Sequence, residues 1–398
     1  MIKKKRIMYI ALIILITFFL LSCSMKKELK KDTQPNKVEN TEKKSKEDEP
    51  KYTYTTIMAV GDIMFHIPQV KAGYDYETKE YDFKEVFDPV KKYLQTADVS
   101  IGNFETTTAG DKLGFTGFPR FNSPKATVKA LKYVGLDILS TANNHSLDMG
   151  KSGIIETIDN INKNKIENLG TSKEPGNRYL MKEQNNVVLS FLSYTYALNG
   201  LKNGLSEKEL SYMVNLIDED RMKKDILEAK EKSDKVIVYI HWGDEYRRTP
   251  NEYQVELKNK LFHWGADIIL GSHPHVIQKS KIEEINGERK FIIYSMGNFI
   301  SNQRRETLTN TNRKYTEDGV IVEIVIRKNL NSGESEITDV GYIPTWVYKY
   351  YEKGNWEYRI LPAKDYMDDK KISDIIRKKL EMSYNNTIKI MDKLVERE

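Results

Sequence analysis

The chain has 398 residues, 39% of them hydrophobic and 30% charged, enough for one large domain or for a domain with an appendage. Its 63 Lys and Arg outnumber 58 Asp and Glu, but Lys3, Lys4, Lys5 and Arg6 fall within a first 22 residues that hold no acid, so the remainder carries 59 basic against 58 acidic groups, a net of +1. That balance gives no electrostatic support for a nucleic-acid partner, and a lone cysteine, Cys23, excludes an internal disulfide.

The opening "MIKKKRIMYIALIILITFFLLSC" places a basic cluster before an apolar run and a small residue, the order of a secretory signal over residues 1–22. The run is shorter than the roughly 20 residues that a stable span requires. "LLSC" resembles a bacterial lipobox, which implies cleavage before Cys23, lipid on its sulfur and a mature protein tethered to the outer face of the cell membrane. Residues 24–50 are polar and of mixed charge, with almost no large apolar groups, so residues 23–50 read as a lipid-anchored disordered linker.

Globular composition begins at residue 51. "YTTIMAV" predicts a strand, "FKEVFDPVKKYLQ" a helix despite its proline, and "DVSIGNF" a strand. "PKATVKALKYVG" predicts a helix opened by Pro124 and stopped by Gly135. The strand "LDILSTA", the helix "SGIIETIDNINKN", the strand "VVLSFLSYTY" and the helix "DEDRMKKDILEAKEK" follow. The strand "KVIVYI", the helix "EYQVELKNKLFHWG" and the strand "ADIIL" complete the series. Strand and helix in turn predict an α/β fold without internal repeats.

Five of these strands empty into polar clusters: "GDIMFH", "GNFETTT", "NNHSLD", "HWGDE" and "GSHPH". Strand carboxyl ends line the ligand crevice of open α/β sheets, so the five loops are expected to converge. They carry five of the six histidines. In an extended segment His273 and His275 would project to one side, toward one object, although "GSHPH" alone reads equally as a polar turn. Together the loops offer Asp62, His66, Glu105, Asn144, His145, His241, His273 and His275. Oxygen and nitrogen donors without thiolate suit Mn, Fe or Zn. Eight donors are too many for one ion and suit two divalent metal ions bridged by a carboxylate, an arrangement that activates water and clamps an anion. Each loop taken singly also reads as a strand-ending turn.

The ordered series "GDIMFH", "GNFETT", "NNHSLD", "HWGDE", "GSHPHV" and "YSMGNF", over about residues 52–305, resembles the CapA family of bacterial capsule or poly-γ-glutamate synthesis proteins, within the calcineurin-like metallophosphatase superfamily. The resemblance implies a four-layer sandwich, two mixed sheets flanked by helices, with a two-metal centre at the sheet edges. It assigns Asp62 to the first metal, with Glu105 at the position of a bridging aspartate. Asn144, His241 and His273 would hold the second metal, and His275 would return to the first. His145 would protonate the leaving group and Asp148 would orient it. The usual Asp-x-His opening is missing, and His66 would supply that nitrogen if its loop curled through one helical turn. The implied chemistry is hydrolysis or transfer by activated water, on a phosphoester or an amide.

The domain is expected over residues 51–305, with strands and helices of 306–398 completing it or packing on it. Arg247 and Arg248, close after "HWGDE", are candidates to touch an anionic substrate, and Asn298 to line the site; Arg120 and His263 read as surface or packing residues. The aromatic stretch "GYIPTWVYKYYEKGNWEYRILPA" is expected to cover a core, the C-terminal helical segment to cover a sheet, and "QRRETLTNTNRKYTEDG" to be a mobile loop able to gate the crevice. Two functions remain open: a surface-anchored metal-dependent enzyme acting on an anionic capsule polymer or its precursor, or a non-catalytic part of a capsule synthesis or export complex, working with membrane proteins and keeping the metal site for structure or ligand binding.

Overall fold

The computed structural model describes residues 51–307, 313–352, 354–391 and 395–397; the expected signal, linker and lipidation site at Cys23 lie outside them. In chain order the strands are β1 (Tyr52–Ile63), β2 (Tyr74–Asp75), β3 (Glu80–Tyr81), β4 (Val99–Phe104), β5 (Ile138–Ser140), β6 (Glu167–Leu169), β7 (Tyr179–Gln184), β8 (Val187–Thr195), β9 (Lys235–His241), β10 (Ile268–Ser272), β11 (Ser280–Ile285), β12 (Glu288–Ile293), β13 (Asn298–Ile300), β14 (Asp318–Asn329), β15 (Ser335–Glu352), β16 (Asn355–Pro362) and β17 (Val395–Glu396). The α-helices are α1 (Ile67–Ala72), α2 (Lys84–Leu94), α3 (Ala126–Val134), α4 (Gly150–Lys163), α5 (Glu207–Met213), α6 (Glu219–Lys230), α7 (Glu252–Trp264), α8 (Ala363–Met367) and α9 (Asp374–Ile388).

Two sheets hold the fold. One has nine strands in the order β16-β15-β14-β1-β4-β5-β6, with β13 added beside β1 and β17 beside β15. The other has six, in the order β11-β12-β10-β9-β8-β7. In the first, β1, β4, β5 and β6 run parallel; in the second, β8, β9, β10 and β12 do. Antiparallel β14 to β16 on one and β7 and β11 on the other make both sheets mixed.

Side-chain alternation separates the layers. Along β1, Ile57 and Ala59 face the second sheet in a shared core with Val99, Ile101, Leu189, Phe191, Ile237, Tyr239, Ile268 and Leu270. Met58 and Val60 face the other way, onto Phe87 and Val90 of α2 and Val128 and Leu131 of α3. On the second sheet, Val236, Val238 and Ile240 turn outward onto Ile226 of α6 and Leu257 and Leu261 of α7. Helix, sheet, sheet, helix is the four-layer α/β order that the family resemblance implies.

Helix ends follow local chemistry. Gly135 closes α3 at φ 112°, a left-handed conformation that glycine adopts without a Cβ penalty. α7 opens on a reciprocal pair: Asn251 accepts from the backbone N–H of Gln254, whose side chain accepts from that of Asn251. The strand "LDILSTA" is cut to three residues because Ser146 Oγ bonds the carbonyls of Thr141 and Asn143 (both 2.6 Å), folding the chain into a turn.

In the aromatic stretch Trp346 and Tyr358 are buried, whereas Tyr351 and Trp356 are exposed and meet edge to face at 5.3 Å near the β15–β16 turn. Leu380 of α9 packs on Trp346 and Leu361, and Met391 enters the inter-sheet core. The described ends of the expected gating loop are held rather than free: Arg304 donates to Val347 O (2.7 Å) and pairs with Glu317 (3.1 Å), and Arg305 pairs with Glu317 (3.0 Å) and Asp318 (2.5 Å). Residues 308–312 of that loop lie outside the description. Among the described residues no helix is long and apolar enough to cross a membrane.

Candidate metal centre

The site is the polar end of the inter-sheet core. The inward-facing rows run from Val99 and Ile101 to Asn103 and Glu105, from Ile237 and Tyr239 to His241, and from Ile268 and Leu270 to Ser272. β1 needs a correction to its register to join them. Strict alternation would send Asp62 outward with Met58 and Val60, but the pairing with β4 shifts between Val60 and Asp62, and Ile63 is the next outward residue. This bulge at Gly61 turns Asp62 inward. A Cβ at Gly61 would lie 1.9 Å from Gly297 O, so the bulge depends on glycine.

Two buried groups of donors result, with the ligating atoms of each within 4.8 Å of one another: Glu105, His241 and His273, and Asp62, Glu105 and His275. Glu105 belongs to both. Its Oε1 lies 3.6 Å from His241 Nε2 and 3.9 Å from His275 Nε2. Asp62 Oδ2 is 3.1 Å from His275 Nδ1 and accepts from the backbone N–H of His273 at 3.3 Å. Asn144 Oδ1 sits 2.9 Å from His241 Nε2. Glu105 Oε1, His273 Nδ1 and Asn298 Oδ1 are buried without a hydrogen-bond partner. Such orphaned atoms are rare in native interiors, and three at one place fit a set of ligands for a cation.

The electrostatics agree. Burial, followed by the charge of Asp62, pushes the Glu105 carboxyl well above the usual carboxylate range. Burial drives His241 and His273 well below the ordinary imidazole value, so both present neutral nitrogens. Burial also acts to lower His275, but its hydrogen bond to Asp62 and the charge of that carboxylate prevail, and its pKa is raised.

Beside these groups, His145 Nδ1 lies 2.7 Å from Asp148 Oδ2, which also accepts from the Phe121 backbone N–H at 2.6 Å. The Phe121 ring meets His145 edge-on at 4.7 Å. Asp148 thus fixes the imidazole through Nδ1.

Other expectations meet a different geometry. "GSHPH" is a turn and not an extended segment: His273 and His275 have φ of 97° and 57°, a region that side-chain-bearing residues enter at a cost and that clusters at functional sites. Their rings are 5.9 Å apart; each joins a separate group with Glu105, and both share one group with Glu245. His66 is not in either group. β1 continues to Ile63, no helical turn joins Asp62 to His66, and His66 sits extended at the N-terminus of α1. Its N–H donates to Gln69 Oε1 (2.8 Å), and its Nδ1 accepts from the Asn302 N–H (3.3 Å).

Arg247 pairs with Asp244 at 3.2 Å. Arg248 donates to Asn386 O (2.8 Å) in α9 and lies over the Tyr315 ring, so its guanidinium is committed away from an anion. Asn298 is paired in register with Asp62, beside the donor groups. Arg120 and His263 are exposed.

Sequence reasoning missed three contributors. Asn103 Nδ2 donates to Asp62 Oδ1 (2.8 Å), Asn143 Nδ2 donates to Asn103 Oδ1 (3.1 Å), and Ser272 Oγ lies 2.9 Å from His241 Nδ1. Glu245, of "HWGDE", forms a third donor group with His273 and His275. Two-residue spacing from Glu105 was the available signal for Asn103.

The family described as bacterial capsule synthesis protein PGA_cap matches residues 56–303. The chain belongs to that family. The PGA biosynthesis protein CapA of Bacillus subtilis (strain 168) is 30% identical over 288 residues, 71% of this chain and 70% of that protein. The capsule biosynthesis protein CapA of Bacillus anthracis is 30% identical over 69% of this chain and 64% of its own length. Among solved structures, a novel phosphatase from Mycoplasma pneumoniae shares 14% identity over 74% of this chain and 94% of its own at a TM-score of 0.44. A hypothetical protein from Thermus thermophilus shares 16% over 77% and 100% at 0.40. Likeness at these scores adds nothing to the architecture described above.

Proposed function

We propose that this PGA_cap protein is a divalent-cation-dependent hydrolase or transferase that makes or processes an anionic capsule polymer such as poly-γ-glutamate. One observation carries the reading: two groups of buried donors share Glu105, whose Oε1 has no hydrogen-bond partner. Asp62, His275 and Glu105 would hold one cation; Glu105, His241, His273 and Asn144 would hold the other. Cations bound there would supply Lewis acidity and make water nucleophilic near neutral pH. His145, with Nδ1 held by Asp148, would deliver a proton to the leaving group from Nε2. The opening basic and apolar sequence and "LLSC" support a tether through lipid on Cys23 at the extracytoplasmic face, where capsule-synthesis membrane proteins would be its partners.

The test is elemental analysis of the full chain in detergent, with assays on phosphomonoester, phosphodiester and γ-glutamyl substrates. Bound cation with turnover on one class is expected, and a cation-free, inactive protein contradicts the proposal. The placement of His66 outside the donor groups favours a second reading, a non-catalytic subunit of a capsule assembly; cation without turnover would select it.

A further inference from the structure

We infer that Glu245, and not His66, completes the centre on its solvent side, as a direct ligand beside His273 and His275 to one of the two divalent cations. The inference rests on the cation reading above and adds a ligand to it. The ligating atoms of Glu245, His273 and His275 lie within 4.8 Å of one another. His273 is 2% exposed and its Nδ1 has no hydrogen-bond partner, so a buried nitrogen is left for something other than protein.

The backbone explains how an exposed carboxylate reaches two buried histidines. β9 delivers His241 to the site, and Glu245 follows four residues later. Gly243 turns the chain at φ 90°, where a Cβ would lie 2.7 Å from the Gln254 side-chain amide, and Tyr246 follows at φ 61°. The Tyr246 N–H donates to Pro274 O at 2.7 Å, pinning this turn to the residue between the two histidines. The neighbouring arginine does not compete: Arg247 pairs with Asp244, and among the described residues no lysine or arginine forms an ion pair with Glu245.

His66 lacks these features. Its Nδ1 is occupied by the Asn302 N–H, and the Phe121 ring that meets His145 edge-on also meets His66 edge-on at 5.1 Å. A third carboxylate beside Asp62 and Glu105 also offsets more of the charge that two divalent cations bring into a buried site.

The experiment measures the stoichiometry and affinity of Mn²⁺ and Zn²⁺, each alone, by elemental analysis after dialysis and by competition with a chromophoric chelator. The full chain in detergent is compared with Glu245→Gln, Glu245→Asp, His66→Asn and the exposed control Glu77→Gln, with thermal melts confirming folding. Glu245→Gln is expected to lose one equivalent or to weaken binding about tenfold or more. Glu245→Asp should recover part of the loss, and His66→Asn and Glu77→Gln should match wild type. Wild-type binding in Glu245→Gln, or loss in His66→Asn instead, overturns the inference while leaving the cation reading intact. A wild-type chain that binds neither ion overturns both.

Discussion

The two ends of the inter-sheet layer are built on the same strands with opposite chemistry. At one end Ile57, Val99, Ile101, Ile237, Ile268 and Leu270 fill the space with apolar side chains. A few residues further along, Asp62, Asn103, Glu105, His241 and Ser272 occupy the same faces, equally buried, with charge and orphaned polar atoms. The apolar end is stable in itself, while the polar end carries a desolvation cost that a bound cation would offset. The difference teaches that the first end holds the fold, while under the proposed function the second gives up some of that stability for ligand capture. Substitutions should therefore separate stability from binding.

The largest expected effect lies at the polar end. Glu105→Gln keeps the shape of the side chain but removes the shared charge, and elemental analysis should find the cation lost and assays should find no turnover. Its stability in chelator should not fall. The Glu105 carboxyl is held well above its ordinary 4.5, so the folded wild type binds that proton more tightly than the unfolded chain. Wild type without cation should lose stability as pH rises from about 4.5 through the folded-state value, and Glu105→Gln should lack this loss in urea titrations. A large destabilisation of Glu105→Gln in chelator would break the comparison. Next, His145→Ala should reduce turnover by about 10²–10⁴-fold with cation content unchanged, because proton delivery and ligation belong to different residues.

At the apolar end Leu270→Ala should cost about 2–5 kcal/mol in urea unfolding, as expected for truncating a fully buried leucine, yet leave the cation affinity of the folded protein near wild type. The smallest effect concerns His66, which burial lowers from 6.5 to about 4. Below pH 6.5 the unfolded chain takes up this proton more readily, so stability should fall between about pH 6.5 and 4. His66→Asn retains an acceptor for the Asn302 N–H and should show a shallower fall.

The strands were legible because their apolar patterning is local: "KVIVYI" and "ADIIL" announce buried strands, and the clusters that follow them mark the sheet ends, whereas the four layers came from the family resemblance. The convergence of Asp62, Glu105, Asn144, His241, His273 and His275 was legible for the same reason, since parallel strands carry their carboxyl ends to one edge. What escaped were features set by long-range register. The bulge at Gly61 depends on the close approach of Gly297, more than two hundred residues away in sequence. His66 is held outside the donor groups by Gln69 and Asn302, and the turn that carries Glu245 toward His273 and His275 is pinned by the Tyr246 N–H donating to Pro274 O. Arg248 is claimed by α9, whose position no local pattern announces.

The most direct measurement is anomalous diffraction at the zinc edge from crystals of the protein grown with Zn²⁺. The account predicts a peak within about 2.2 Å of Glu105 Oε1, with nitrogens of His241 and His273, or of His275, among its neighbours. Ordered crystals with no peak in reach of Glu105, or zinc bound only at the surface, would contradict it.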